Sequence, residues 1–290
     1  MQSLQVVPTG CALGAEIRGV DLAQPIDAAT FQKIEEAFVN HGVIFFRDQV
    51  ITADEEVAFA KRFGEVEINI NTQAALAGHP EVMVLSNIME GGRYIGLADA
   101  GITWHTDMSA TKMPPRCSIL YARQVPHDAD GKPLGDTVFA SAAAAYDTLP
   151  DDIRGRLDGK VAEHSYFAKM MARKRAVGLT REITQEHIDR TPPVQHPVFR
   201  THPVTQRKCI YVTPGECTCI EGVADDEALS LIDYLHEQVI DRRHQYRHRW
   251  RVGDVLMWDN CTCQHLGVKD YELDQHRLMH RVTVNGSVPF

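Results

Sequence analysis

Short runs of β-branched and aromatic residues recur along this chain without a helix between each run and the next, and that pattern limits what it can fold into. Val43–Phe46 has the make-up of a buried strand, and Val82–Leu85, Ser118–Tyr121, Lys208–Val212, Gln245–Trp250, Val255–Trp258 and His276–Val284 share it. Leu4–Val7 and Gly14–Ile17 read as two shorter strands around Pro8-Thr9-Gly10. A doubly wound sheet needs strand and helix to alternate regularly, and here they do not. The prediction is a mainly β chain, a double-stranded β-helix (jelly roll) with flanking helices.

The helical segments stand at the ends and in one block. Ala28–Asn40 has the spacing of an amphipathic helix and stops at His41-Gly42, while Thr52–Glu55 is a capping box opening a helix to Phe63. Asp225–Gln238 places Leu229, Leu231, Ile232 and Leu235 on one side. Glu90–Gly101 is polar and Gly-containing, a loop. From Ala142 to about Arg190 the chain turns Ala-rich and charged with helical spacing, which predicts a helical insertion acting as a lid. With no repeat and no low-complexity linker, residues 1–290 read as a single domain.

Charge narrows the partners. The formal net charge is −9 and charges of both signs are scattered, so no nucleic acid is expected. No apolar run approaches the roughly 20 residues that span a bilayer, and Met1–Gly10 lacks a basic segment followed by an apolar one, so no membrane and a cytoplasmic location are expected. Seven cysteines, an odd number in a chain large enough to fold without staples, read as reduced thiols.

The chemistry begins at Trp104-His105-Thr106-Asp107-Met108. Along a strand, alternate side chains share a face, so His105 and Asp107 would point the same way. An imidazole nitrogen and a carboxylate oxygen suit iron(II), and a second histidine would complete one triangular face of an octahedron with three positions open. A His-x-Asp triplet alone decides little, since such pairs also serve as ordinary structural hydrogen bonds. His265 lies 160 residues later and can reach His105 only if its strand folds back beside the first. Arg277 follows 12 residues after it.

Taken together, these motifs resemble the taurine dioxygenase and chlorophenoxyacetate dioxygenase (TauD/TfdA) family. The likeness runs from Pro8-Thr-Gly and Gly14-Ala-Glu-Ile through Phe45-Phe-Arg-Asp-Gln, Phe63-Gly-Glu and Arg200-Thr-His-Pro203 to Trp258-Asp-Asn and His280-Arg281. Its specific anchors are Trp104-His-Thr-Asp107, Gly135-Asp-Thr137, Gln264-His265 and Arg277–Arg281. The resemblance implies an iron(II)- and 2-oxoglutarate-dependent dioxygenase, with O2 as second cosubstrate and a homo-oligomeric assembly. It makes His105, Asp107 and His265 the metal ligands, with Arg277 and Thr137 binding 2-oxoglutarate. A guanidinium forks onto a carboxylate with two parallel hydrogen bonds, which suits Arg277 to the far end of a five-carbon diacid.

Arg281 carries the substrate expectation. If His276–Val284 is a strand, Arg277, Met279 and Arg281 share a face, with the arginines about 13 Å apart at roughly 3.3 Å per residue. In the family the arginine at this position resembles a clamp on a sulfonate or carboxylate, so a small organic anion is expected as substrate. Hydroxylation could leave an alcohol or lead to cleavage. The taurine pattern itself is broken: Asn69 and Thr72 stand where a histidine and a tyrosine are expected, and Glu216 follows Gly215 where a phenylalanine is expected. Asn69, Met108 and Glu216 are therefore taken as substrate-binding candidates, with Met113 and Tyr94 as possible wall residues. Glu216 would have to meet a cationic or hydrogen-donating part of an anionic substrate.

Cys217/Cys219 and Cys261/Cys263 invite a zinc reading, but structural zinc pairs are usually spaced more widely and free thiols are expected, the latter pair oxidation-sensitive beside the metal strand. Two rival functions use the same fold: a metal-dependent hydrolase, which has no need of Arg277 or Thr137, and a non-catalytic jelly-roll binding protein, which has no need of His105 or Asp107.

Overall fold

Alternation within the apolar strands explains how one sheet comes to be buried on both faces. In the computed structural model, which describes residues 3–68, 74–177, 184, 189 and 191–290, Ile44 and Phe46 join Val255, Met257, Ile119 and Val282 on one face. Val43, Phe45, Leu256, Trp258 and Leu120 face the other way. A strand buried on both sides has no polar face to display, so it reads as a continuous apolar run.

These strands belong to an eight-stranded sheet in the order Gln5–Pro8, Ala15–Arg18, Val43–Phe46, Val255–Asp259, Cys117–Gln124, Leu278–Val284, His79–Ser86 and Ala75–Leu76. The pairs are antiparallel except for Ala15–Arg18 beside Val43–Phe46. A smaller sheet orders Gln245–His248, Thr137–Ser141 and Cys263–Gly267, all antiparallel. Phe139, Tyr246 and Cys263 of the smaller sheet share a core cluster with Phe45, Leu120, Leu256 and Met279 of the larger. The two sheets therefore close on one another as a jelly roll.

The outer face of the large sheet is covered by two helices. Ala28–His41 starts on an Asp27 cap that accepts from the Thr30 amide and ends at Gly42, whose φ of 67° is left-handed. Ala53–Lys61 opens with the complete Thr52/Glu55 capping box. Ile34, Phe38, Phe59 and Ala60 from these helices enter the outer core.

Three features depart from the sequence reading. Leu229 is 47 % exposed, because the buried stripe of Asp225–Val239 runs through Ala228, Leu231, Ile232, Leu235 and Val239. The stretch expected as a loop holds a small hairpin, Met89–Glu90 with Arg93–Tyr94. The block from Ala142 also divides in two. The helices Ala142–Asp147 and Asp151–Leu157 bury Ala142, Ala143, Ala145 and Leu157 in a core cluster with Ile232 and Leu235, so they are part of the framework. Only the helix Tyr166–Val177 borders the cavities described below.

A three-stranded sheet beside this framework, Val194–Pro197, Val161–His164 and Cys217–Ile220, buries His164 against His196 and Tyr211. Burial, helped by the neighbouring His196, lowers the His164 pKa from 6.5 to about 3. The unfolded chain thus takes up a proton below pH 6.5 that the folded chain refuses until about pH 3. The stability due to neutral His164 is complete above pH 6.5 and is lost on acidification across that window. His164→Asn is expected to flatten the acid limb of the stability curve by up to about 1.4 kcal/mol per pH unit. Urea denaturation at stepped pH reads this directly, and parallel curves for the two proteins would refute it.

Candidate active site

Two backbone hydrogen bonds bring the distant histidines together: the His105 amide donates to the His265 carbonyl at 3.1 Å and the His265 amide returns to His105 at 2.9 Å. His265 lies on the strand Cys263–Gly267, and His105 adds to that strand as a single paired residue. The expected strand through His105 and Asp107 is not formed. The chain leaves the sheet after His105 and turns at Met108, whose φ of 47° is left-handed. The turn nonetheless brings the Asp107 carboxylate back toward both rings. The ligand atoms of His105, Asp107 and His265 all lie within 4.8 Å of one another, and this is the one such group of three or more among the described residues.

Each member is held in a form that can ligate a metal. His105 Nδ1 donates to the Thr103 carbonyl at 2.8 Å, which fixes the ring with Nε2 turned toward Asp107, 3.6 Å from Oδ1. Burial, reinforced by His105, pushes the His265 pKa well below its usual value and keeps the ring neutral. Burial opposes ionisation of Asp107, yet Arg281 and the two imidazoles outweigh it and hold the carboxyl well below the ordinary range. Two imidazoles and one carboxylate form the donor set that suits a divalent transition metal.

Behind Asp107 stands a relay that the sequence reading missed. Ser118 on the strand Cys117–Gln124 donates its hydroxyl to Asp107 Oδ2 at 2.6 Å and accepts from Asn260 Nδ2 at 3.2 Å, and Asn260 Oδ1 accepts from Trp258 Nε1 at 3.0 Å. Trp258 also packs its ring 4.7 Å from His265. The Trp258-Asp-Asn motif thus braces two of the three ligands. Its Asp259 accepts from His202 Nε2 at 2.7 Å, which ties Arg200-Thr-His-Pro203 to the same turn.

A cavity opens on the inner side of the rings. It is lined by His105, His265, Thr137, Trp258, Arg277 and Arg281, among others. Gly135, at a φ of 73°, makes room for Arg277: a Cβ there would lie 3.0 Å from the guanidine Nε. Among the described residues the Arg277 guanidinium has no ion-pair partner, and burial lowers its pKa despite Tyr271, Asp136 and Asp270 nearby. Arg281 reaches Asp107 Oδ1 at 3.6 Å and Met83 Sδ at 3.3 Å. Arg277 itself lies just before the strand Leu278–Val284, and the pairing shifts register between Leu278 and Met279.

A second cavity adjoins His105, lined by Trp104, Lys169, Arg173, Pro214, Gly215 and Glu216 among others. Lys169 and Arg173 come from the helix Tyr166–Val177. Glu216 is buried, accepts from the Ser109 hydroxyl and pairs with Lys169, and these partners lower its pKa despite burial. Met108 is exposed, and Met108, Met113 and Tyr94 line neither cavity. Asn69 and Thr72 lie outside the described residues.

The comparisons decide the family. Residues 5–283 match the model described as taurine catabolism dioxygenase TauD, TfdA family. The chain belongs to this family. Among relatives, it is 35 % identical to an alpha-ketoglutarate-dependent sulfate ester dioxygenase of Pseudomonas putida, over 99 % of this chain and 91 % of that one. It is 31 % identical to an alpha-ketoglutarate-dependent 2,4-dichlorophenoxyacetate dioxygenase of Cupriavidus pinatubonensis, over 93 % of each. Among solved structures, a taurine dioxygenase from Burkholderia xenovorans aligns with a TM-score of 0.81 at 31 % identity, covering 99 % of this chain and 91 % of that one. AAD-2 in complex with Mn(II) and N-oxalylglycine aligns with a TM-score of 0.81 at 29 % identity, covering 99 % of each. For this TauD/TfdA member the jelly-roll expectation holds, and no helix among the described residues is long and apolar enough to cross a membrane.

Bracing by Ser118 predicts a measurable cost when it is removed. Ser118→Ala is expected to weaken metal binding about 10–100-fold, the range for loss of an outer hydrogen bond to a ligand. Titration of the metal-free protein, with circular dichroism to confirm the fold, checks it; unchanged affinity would mean that Asp107 needs no brace.

Proposed function

We propose that this protein is an iron(II)- and 2-oxoglutarate-dependent dioxygenase that hydroxylates a small organic anion. The observation that carries the reading is the His105/Asp107/His265 cluster, whose two histidines line a cavity that also holds Arg277, which has no ion-pair partner among the described residues. A hydrolase would require the cluster alone and leaves a half-buried guanidinium, without an ion-pair partner among the described residues, without a purpose. A passive binding protein would have no reason to hold an ionised Asp107 between two imidazoles.

In this reading His105, Asp107 and His265 hold the iron, and Arg277 and Thr137 hold 2-oxoglutarate. Iron(II) and the oxo acid together supply the oxidising chemistry: O2 is consumed, 2-oxoglutarate gives succinate and CO2, and one oxygen atom enters a substrate C–H bond. The residues of the chain place that bond. Arg281, beside the metal carboxylate, fixes the substrate anion, which sets the distance from charge to target carbon. Leu85 and Leu120 give the cavity an apolar wall that excludes water. Glu216 serves as a neutralised wall of the outer cavity, because Lys169 and Ser109 already occupy its oxygens.

The substrate class follows from Arg281 and from the relatives, which are named for sulfate esters and an aryloxyacid. A hydroxylated carbon that also bears ester oxygen gives a product that falls apart, whereas one bearing only carbon gives a stable alcohol. Seven free thiols fit a reducing compartment, and we assign the enzyme to the cytoplasm.

Anaerobic addition of iron(II) and then 2-oxoglutarate is expected to produce the weak visible band of a chelated oxo acid. Asp107→Ala should abolish it, and Arg277→Ala should require at least about tenfold more 2-oxoglutarate, the loss of a charge-assisted hydrogen bond worth roughly 1.5–3 kcal/mol. Bound metal without a band would refute the cosubstrate reading. Succinate release across sulfate esters, sulfonates, aryloxyacids and other carboxylates then ranks substrates, and Arg281→Ala should lower activity on all of them.

A further inference from the structure

Thr137 lines the cosubstrate cavity with an oxygen that is already gripped from behind. It lies on the strand Thr137–Ser141, paired to His248 on one side and Gly267 on the other. The indole Nε1 of Trp250 donates to Thr137 Oγ1 at 3.0 Å, and both residues are buried. An indole N–H donates and cannot accept, so the Thr137 hydroxyl cannot spend its own hydrogen on Trp250. Among the described residues it has no other side-chain partner. Its single hydrogen is left for the cavity.

The indole is itself fixed. Trp250 meets His248 edge to face, with ring centres 4.6 Å apart and planes at 77°. His248 contacts Tyr246 Oη at 2.9 Å through Nδ1 and Asp254 Oδ2 at 3.1 Å through Nε2, and Asp254 is paired in turn with Arg47. Asp254 Oδ2 is gripped by Arg47, His248 and the Arg251 amide together, and a buried polar chain anchored in this way holds its donors in one orientation.

We propose that Trp250 is a positioning residue for the oxo-acid cosubstrate, acting through Thr137: its N–H fixes the polarity of the Thr137 hydroxyl so that the hydroxyl donates to the carboxylate held by Arg277. Without the indole N–H, the hydroxyl is free to rotate between staggered positions and its hydrogen-bonding direction must be set anew each time the diacid binds. The effect falls on cosubstrate affinity, and the reacting atoms are untouched. The inference rests on the reading of Thr137 as a cosubstrate contact given above.

The test compares Trp250→Phe, Thr137→Val and the double variant as iron-loaded enzyme, by steady-state kinetics in 2-oxoglutarate and by calorimetric 2-oxoglutarate binding without O2. Trp250→Phe is expected to raise the 2-oxoglutarate KM and Kd several-fold while kcat and the metal stoichiometry stay within twofold of wild type. Thr137→Val should raise both at least as much, and the double variant should be no worse than Thr137→Val alone. If Trp250→Phe does not fold, benzothienylalanine at position 250 keeps the ring shape and replaces the N–H by sulfur, and the same outcome is expected. Fold effects that multiply in the double variant, or an unchanged KM on loss of the N–H, overturn the role of Trp250. An unchanged KM in Thr137→Val overturns the cosubstrate contact itself, and the two failures are thereby told apart.

Discussion

The reciprocal backbone hydrogen bonds between His105 and His265 are the constraint on which the centre depends. They join segments 160 residues apart in sequence, and neither histidine could bind a shared ion if its backbone were free to drift. Because the bonds are main-chain, they are indifferent to side-chain chemistry and leave both imidazoles for function. Everything else in the centre is arranged about that pair. The smaller sheet carries it, the larger sheet supplies Ser118 and Arg281, and Asp107 spans from one to the other.

A buried carboxylate with two imidazoles and a guanidinium around it is a costly assembly in the absence of good geometry. Here the cost is met by rigid neighbours on both sides. Trp258 and Leu256 alternate with Val255 and Met257 along a single strand, so the strand that orients the Trp258–Asn260–Ser118 relay is also clamped between the two cores. The helices Ala142–Asp147 and Asp151–Leu157 reinforce the smaller sheet's outer side through a third core cluster. The helix Tyr166–Val177 buries Met170 and is tied further by ion pairs of Lys169 to Glu216 and Arg173 to Asp99.

Much of this was legible in the sequence, for reasons that differ by element. Val43–Phe46 and Val255–Asp259 announced themselves because double-sided burial forces an apolar run, and Thr52–Glu55 because capping is a local interaction. The sequence reading of His105 and Asp107 as strand neighbours found the correct pair through a wrong element: a turn with Met108 in the left-handed region, not period-two alternation, sets them side by side. Leu229 was misplaced because a short stretch of apolar residues leaves the centre of a helical stripe undetermined by one position. Ser118, Asn260 and Trp250 could not be found from spacing, since their roles are contacts across 142 and 113 residues of sequence to Asn260's and Trp250's partners. Asn260 alone left a trace, as part of a motif that matched without a stated purpose.

The placement of Arg281 gives the centre an internal order of assembly. The Asp107 carboxylate is shared: Oδ1 faces Arg281 at 3.6 Å, His105 at 3.6 Å and His265 at 4.0 Å. A divalent ion held by His105, Asp107 and His265 would draw on the same oxygen and leave the guanidinium of Arg281 open to another anion. Among the described residues Arg277 has no ion-pair partner. A metal bound there would add Arg281 to Arg277 as a cation open to an anion, and so favour a second anion in the cavity. Binding energies coupled in this way are reciprocal, so an anion on Arg281 tightens the metal by the same factor by which the metal tightens the anion.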